Sequence, residues 1–467
     1  IAAATSPALS FTKLWTYSHG VTAGQVSEIP AFDRKTNTLW VAGIVGVDVL
    51  DAETGTLVEH IDTTPFGSIN SVAIHDGLAA FAIEAPTRTS PGVVVFYDTE
   101  TRSLSQGVNT VTVGALPDML TFTPNGRKLL VANEGTPSTY GSRSNPGSPA
   151  PFAFNSAAVD PAGSVSIIDM RTRNVIATAG FAGVPIVGSN VRTNTGMDFE
   201  PEYIAVNEDG TKAYVTLQEA NAIGVLDLKT NAFTKVIGLG VKDFSLPGNE
   251  IDPLDNDSAV TFGSHNVKGL YMPDGIAAYE RRGKTYLVMA NEGDFREDDG
   301  DRIAANSNGL GAQAPLTRLR VSATDSSPGN LYAAGARSFS IRDTNGHLVY
   351  DSGSILDRKA AELGIYDDGR SRDKGVEPEG VALLDIGGRT YAFIGLERTL
   401  KGAVAVFDIT EPAKSSFVTM IVTDGDVAPE GLVAYQYRGD FYLAIANEVS
   451  ATTTLYRVER GRREERD

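Results

Sequence analysis

The chain contains no cysteine. No disulfide holds it together, and neither a thiolate metal site nor a cysteine nucleophile is open to it. No run approaches the roughly 18 apolar residues needed to span a bilayer. Positive charge is short: 40 Lys and Arg face 58 Asp and Glu, a formal net charge of −18. That balance argues against nucleic acid as a partner, because backbone binding needs a basic patch. Long amphipathic helical patterns are nearly absent. Also missing are Gly-x-Ser-x-Gly, a P-loop and a GxGxxG between strand and helix. The opening IAAATSPALS has no basic n-region and reads as the remainder of a processed N-terminus. The expected location is therefore periplasmic or secreted, with a signal peptide removed. The tail ERGRREERD is charged and is expected to be disordered. Nothing in the sequence sets an oligomeric state.

What is present is glycine, at 48 residues, separating short β-branched segments. That composition points to an all-β fold. A repeat runs through the segments. One strand opens on a polar residue. A second follows a glycine turn, as in NGRKLLVANE, RGKTYLVMANE and RGDFYLAIANE. A third alternates and ends in Asp, as in VDVLD (47–51), SVSIID (164–169) and AVAVFD (403–408). A fourth completes the unit. Four strands repeated seven times predict a seven-bladed β-propeller in one domain, 1–467. Loop insertions are expected near 135–163, 242–268 and 294–330. Residues 10–18 resemble a fourth strand and are expected to close the last blade.

The opening polar residues are Glu28, Asn70, Asp118, Glu202, Asp274, Glu379 and Glu430, spaced by 42, 48, 84, 72, 105 and 51 residues. The shortest spacings match a propeller blade of about 40–45 residues. Innermost strands line the axis, so these seven side chains are expected to form a ring. Crowded carboxylates oppose one another's ionisation unless a cation lies among them. A turn-forming role explains the Asp that often ends the third strand, but it explains the ring poorly. His19 and His265 each stand nine residues before a ring acid and are expected beside it. His60, His75 and His347 are assigned to surface or filler positions.

The expected metal ligands are His19, Glu28, Glu202, His265, Asp274, Glu292, Glu379 and Glu430, with Asn70 and Asp118 the weaker members. Further acids recur at the end of the second strand, at Glu84, Glu134, Glu219, Glu292, Glu397 and Glu448. Apart from Glu292 they are weighted toward a structural role. Glu200 and Glu377 face the same way as their ring glutamates and are possible contributors. Oxygen ligands with some imidazole suit Mn²⁺ or Ca²⁺, and the histidines move the balance toward Mn²⁺, Zn²⁺ or Co²⁺. The ligand supply allows two ions about 3.5–4 Å apart. Glu202, Glu379 and His265 would then serve catalysis through a metal-held hydroxide. Arg296 and Arg398 are candidate substrate-binding residues, with a salt-bridging role as the plainer reading.

The segments LPDMLTFTPNGRKLLVANEG, DFEPEYIAVNEDGTKAYVTLQEANAI, NEGDFRE, KGVEPEGVALLDIGGRTYAFIGLER and PEGLVAY resemble the bacterial choice-of-anchor I propellers along nearly the whole chain. Within them, the chain resembles the haloalkylphosphorus hydrolase type of phosphotriesterase. That resemblance implies a binuclear manganese centre on the axis and hydrolysis of an organophosphate triester, a small-molecule phosphate ester. A phosphomonoesterase, a Ca²⁺-dependent lactonase and a non-enzymatic cell-surface binding propeller are the alternatives.

Overall fold

The computed structural model describes residues 9–138, 159–193, 199–295 and 301–461. Arg296, most of the insertion expected at 135–163 and most of the charged tail lie outside these residues.

The fold is all-β. Among the described residues there are seven sheets of four or five strands. The recurrent Asp at the end of the third strand is a turn former. Asp51 accepts the backbone N–H groups of Glu53 and Thr54 at 2.9 and 3.0 Å, and Asp343 accepts those of Asn345 and His347, both at 2.9 Å. Each such carboxylate satisfies backbone donors that the turn would otherwise leave bare.

The innermost strands are Ile29–Asp33, Ser68–His75, Pro117–Phe122, Ile204–Val206, Ile276–Arg281, Pro378–Ile386 and Pro429–Tyr437. Each packs against the next, and the last packs against the first. Apolar cores lie between neighbouring sheets. Trp40 and Val49 of the first sheet meet Phe81 and Val95 of the second. Leu130 and Ile167 meet Val215 and Leu226. Leu39 and Leu50 of the first sheet meet Ala444 and Leu455 of the last. Each large side chain buried this way contributes about 1.5–3 kcal/mol. A sheet here buries both faces against its neighbours, which is the packing of a β-propeller.

The outermost strand of the last sheet comes from the other end of the chain. Leu9–Ser18 runs antiparallel to Thr452–Arg460, with Leu9 opposite Arg460 and Ser18 opposite Thr452. Two of the expected insertions carry small sheets of their own: Val241–Asp243 with Lys268–Leu270 and Tyr332–Ala334, and Arg302–Ala304 with Arg320–Ser322. Among the described residues the single α-helix is Ile355–Glu362, and no helix is long and apolar enough to cross a membrane.

Candidate metal centre

The seven ring residues line one cavity of about 330 Å³. Local backbone geometry aims them. Asn70, Asp118, Glu379 and Glu430 each fall where the pairing of the innermost strand slips, between Ile69 and Ser71, Pro117 and Met119, Pro378 and Val381, and Pro429 and Leu432. A bulge of this kind re-aims a side chain out of the strand's alternation. The residue before the proline is left-handed in four of the five Pro-Asp and Pro-Glu turns: Leu116, Met272, Glu377 and Ala428 have φ of 50°, 44°, 52° and 64°. Non-glycine residues seldom adopt that conformation, so the surrounding fold must hold it. The carbonyl of Leu116 accepts the Glu134 N–H at 2.9 Å, Glu377 accepts from Glu397 at 3.0 Å, and Ala428 from Glu448 at 2.8 Å. One backbone bond thus fixes each of these second-strand acids beside the turn that carries its ring acid.

Glycine explains the tight spacing of the ring. A Cβ on Gly275 would lie 2.4 Å from the Glu379 carbonyl, and one on Gly431 would lie 2.6 Å from that of Glu28. The Gly275 and Gly431 N–H groups donate to those same carbonyls, at 3.0 and 2.8 Å. Asn70, the neutral member, donates its amide to the Pro117 carbonyl at 3.0 Å.

The acids gather into two matched clusters. Carboxylate oxygens of Asp118, Glu134 and Glu202 lie within 4.8 Å of one another, as do those of Glu134, Glu200 and Glu219. The same holds for Asp274, Glu292 and Glu379, and for Glu292, Glu377 and Glu397. The correspondence is positional. Each cluster has two successive ring acids, the second-strand acid of each of their two blades, and the acid two residues before the second ring member. Among the described residues, Asn133 and Asn291 anchor the second strands from behind. They donate to Ser166 and Ser340 at 2.8 and 2.7 Å, each just before the clustered glutamate.

The electrostatics follow from this crowding. Burial, then Glu448, Asp118 and Glu84, push Glu28 up to about 8. Burial, then Asp274 and Glu84, raise Asp118 to about 7 against the pull of Arg88. Asp274 rises to about 6 through burial, although hydrogen bonds from Glu292 and Glu379 oppose the shift. Glu134, Glu202, Glu219, Glu292, Glu379 and Glu430 stand well above the ordinary carboxylate range, with burial the first cause in each. Oε2 of Glu219 and Oε2 of Glu379 are buried without a hydrogen-bond partner. A cation among these carboxyls would give such atoms a partner. The donors are carboxylate oxygens throughout, which fits Ca²⁺, Mg²⁺ or Mn²⁺.

The model of the choice-of-anchor I domain matches residues 28–412. The chain belongs to the choice-of-anchor I family. No curated protein matches the sequence. Among solved structures, this choice-of-anchor I chain is similar over 94% of its length to Hydrazine Synthase of Kuenenia stuttgartiensis, at 12% identity, 99% coverage of that chain and a TM-score of 0.55. It is similar over 96% of its length to a chain in the crystal structure of the Mitotic Checkpoint Complex, at 10% identity, 94% coverage and a TM-score of 0.52. The Cps50 (Swd1) β-propeller domain of Myceliophteria thermophila gives 11% identity, coverage of 96% and 99%, and a TM-score of 0.47. Identities this low concern the fold alone.

The choice-of-anchor I cavity takes in Glu28, Asn70, Asp118, Glu202, Asp274, Glu292, Glu379 and Glu430, and leaves out both expected histidines. His19 is fully buried elsewhere. Its Nδ1 lies 2.6 Å from Asp48 Oδ2 and its Nε2 lies 2.7 Å from Thr453 Oγ1, so both ring nitrogens are engaged. His265 is half-buried on the 242–268 insertion, where burial and then Arg337 lower its pKa. Neither is placed to ligate, and the imidazole argument for Zn²⁺ or Co²⁺ goes with them. Arg398 lines an adjoining cavity and pairs with Glu397 at 3.2 Å and Glu377 at 3.6 Å. Arg88 and Tyr203 also line the main cavity and carry no repeat signature. Glu134, Glu219 and Glu397, weighted toward structure from sequence, are cluster members.

Proposed function

We propose that this choice-of-anchor I domain is a seven-bladed propeller, closed by Leu9–Ser18, that works at the cell surface or outside the cell and binds divalent cations in its axial cavity. The observation behind the reading is the pair of matched five-carboxylate clusters with their upward-shifted acids. Protein stripped with a chelator and titrated calorimetrically with Ca²⁺, Mg²⁺ and Mn²⁺ should bind at least one ion per cluster. Any preference for Zn²⁺ over Mn²⁺ should be smaller than at an imidazole site, because the ligands are all carboxylate oxygens. Failure to take up any of these ions overturns the reading.

A second reading, hydrolysis of phosphate esters, rests on both clusters facing one cavity of about 330 Å³, near the lower end of small-molecule pockets. Divalent ions held there would polarise a phosphoryl oxygen and make bound water more acidic. The ten acids would hold and orient such ions. Any left uncompensated would repel a dianionic phosphomonoester, whereas a neutral triester meets no such penalty. The wall therefore favours the triester. Mn²⁺-reconstituted protein assayed with an aryl phosphotriester and an aryl phosphomonoester decides the point. Turnover of neither removes this reading and leaves cation binding standing.

A further inference from the structure

Around Glu377 the chain supplies its own positive charge. Lys374 Nζ lies 2.9 Å from Glu377 Oε1 and 3.7 Å from Glu292 Oε1, and donates to the Gly293 carbonyl at 2.6 Å. Its side chain is 8% exposed. Arg370 reaches Glu377 Oε2 through Nε at 2.9 Å and Nη2 at 2.5 Å. The loop that carries Lys374 is pinned from behind. Val376 N–H donates to Asp357 of the α-helix at 3.2 Å, and Gly375 N–H donates to the Arg370 carbonyl at 3.1 Å. A Cβ on Gly375 would lie 2.7 Å from Asp357 Oδ1 and Oδ2, so this close approach suits glycine.

The three oxygens around Lys374 Nζ belong to Glu377, Glu292 and the Gly293 carbonyl, a set that a divalent ion would also accept. Burial works against the ammonium, but Glu377, Glu292 and Asp294 outweigh it and hold its pKa above the ordinary value. The matching stretch of the other cluster reads MDFEPEY against KGVEPEG, so methionine stands in sequence where Lys374 does. The acids acting on Glu219 there are Glu200 and Asp294, and its Oε2 has no hydrogen-bond partner. In the Lys374 cluster, Glu379 Oε2 is the buried atom without one. The tethered charge sits in the outer triad, Glu292, Glu377 and Glu397, and reaches the inner one only through the shared Glu292.

We infer that Lys374 is a built-in cation standing where a divalent ion would sit. In the Asp274 cluster a divalent ion would then enter the inner triad and not the outer one. The inference rests on the cation-binding reading above.

The test is calorimetric titration of the full chain with Ca²⁺, with bound metal counted by elemental analysis. Lys374→Met should bind one more Ca²⁺ per chain than the native protein, and adding Glu377→Gln should remove that extra ion. Lys374→Arg, which keeps the charge, should retain the native count. It also serves as the folded reference, checked by circular dichroism, if Lys374→Met does not fold. An unchanged count and affinity in Lys374→Met, or a gained ion in Lys374→Arg, overturns the inference. A native protein that binds no ion overturns the cation-binding reading instead.

Discussion

The Asp118 and Asp274 clusters are built from the same five positions of the repeat, yet their charge is settled differently. Around Asp274, Lys374, Arg370 and Arg398 reach Glu377 or Glu397. Around Asp118, Arg88 is the cation that pulls on Asp118 and Glu134, and burial outweighs it in both. The lesson is that a propeller repeat sets where acids stand, while cations outside the repeat set how much charge they leave for a ligand.

The largest expected effect separates the clusters directly. Glu134 and Glu292 are each shared by two triads. Glu134→Gln should weaken Ca²⁺ binding by about 100-fold, and Glu292→Gln by about 10-fold, spanning the range seen when groups supporting a metal are removed. Equal losses in calorimetric titration would break the comparison.

A smaller effect comes from pH. The folded acids hold protons more tightly than an unfolded chain, so without cations their contribution to stability is present at low pH. It is lost as pH rises through their folded values of about 6 for Asp274, 7 for Asp118 and 8 for Glu28. The unfolding temperature in chelator should fall between pH 5 and 8 on that basis. Saturating Ca²⁺ should abolish the fall, because the ion replaces the protons, and its affinity should rise over the same range. A melting temperature in chelator that rises with pH would contradict the charge assignment.

The smallest effect belongs to Arg88. Its Nε lies 3.9 Å from Glu84 Oε2, and its side chain is 43% exposed. Arg88→Ala should tighten Ca²⁺ binding at the Asp118 cluster by a few-fold, about the size of an exposed ion pair. The Asp274 cluster should be unchanged. Tightening at both would mean that Arg88 acts on the cavity as a whole.

The ring was legible because it recurs. Pro-Asp and Pro-Glu open five of the seven innermost strands, and strands at one repeat position share one height on the axis. Glu292 of the Ala-Asn-Glu signature was picked out as a ligand, but Glu134 was weighted toward structure, since sequence does not reveal that its backbone bond to Leu116 ties it beside Asp118. His19 and His265 misled because a count of nine residues is no measure of direction. One count crosses a short 3-10 turn, His19–Val21, and the other leaves an insertion. Asp48 on the third strand was already aimed at His19, and no repeat comparison marks it. Lys374 could not emerge either, because a repeat displays only what recurs.

The pairing of Leu9–Ser18 with Thr452–Arg460 has a kinetic consequence. His19 and Thr453, hydrogen-bonded across the seam, are 434 residues apart. The first strand therefore leaves the ribosome long before its partner exists. Until then two strand edges stay open to mispairing. Contacts this distant in sequence make folding slow, so the two ends pair after most of the chain has been made. Glu28 and Glu430 then become neighbours at the seam, and the last sheet to form is also the one that completes the ring of charge.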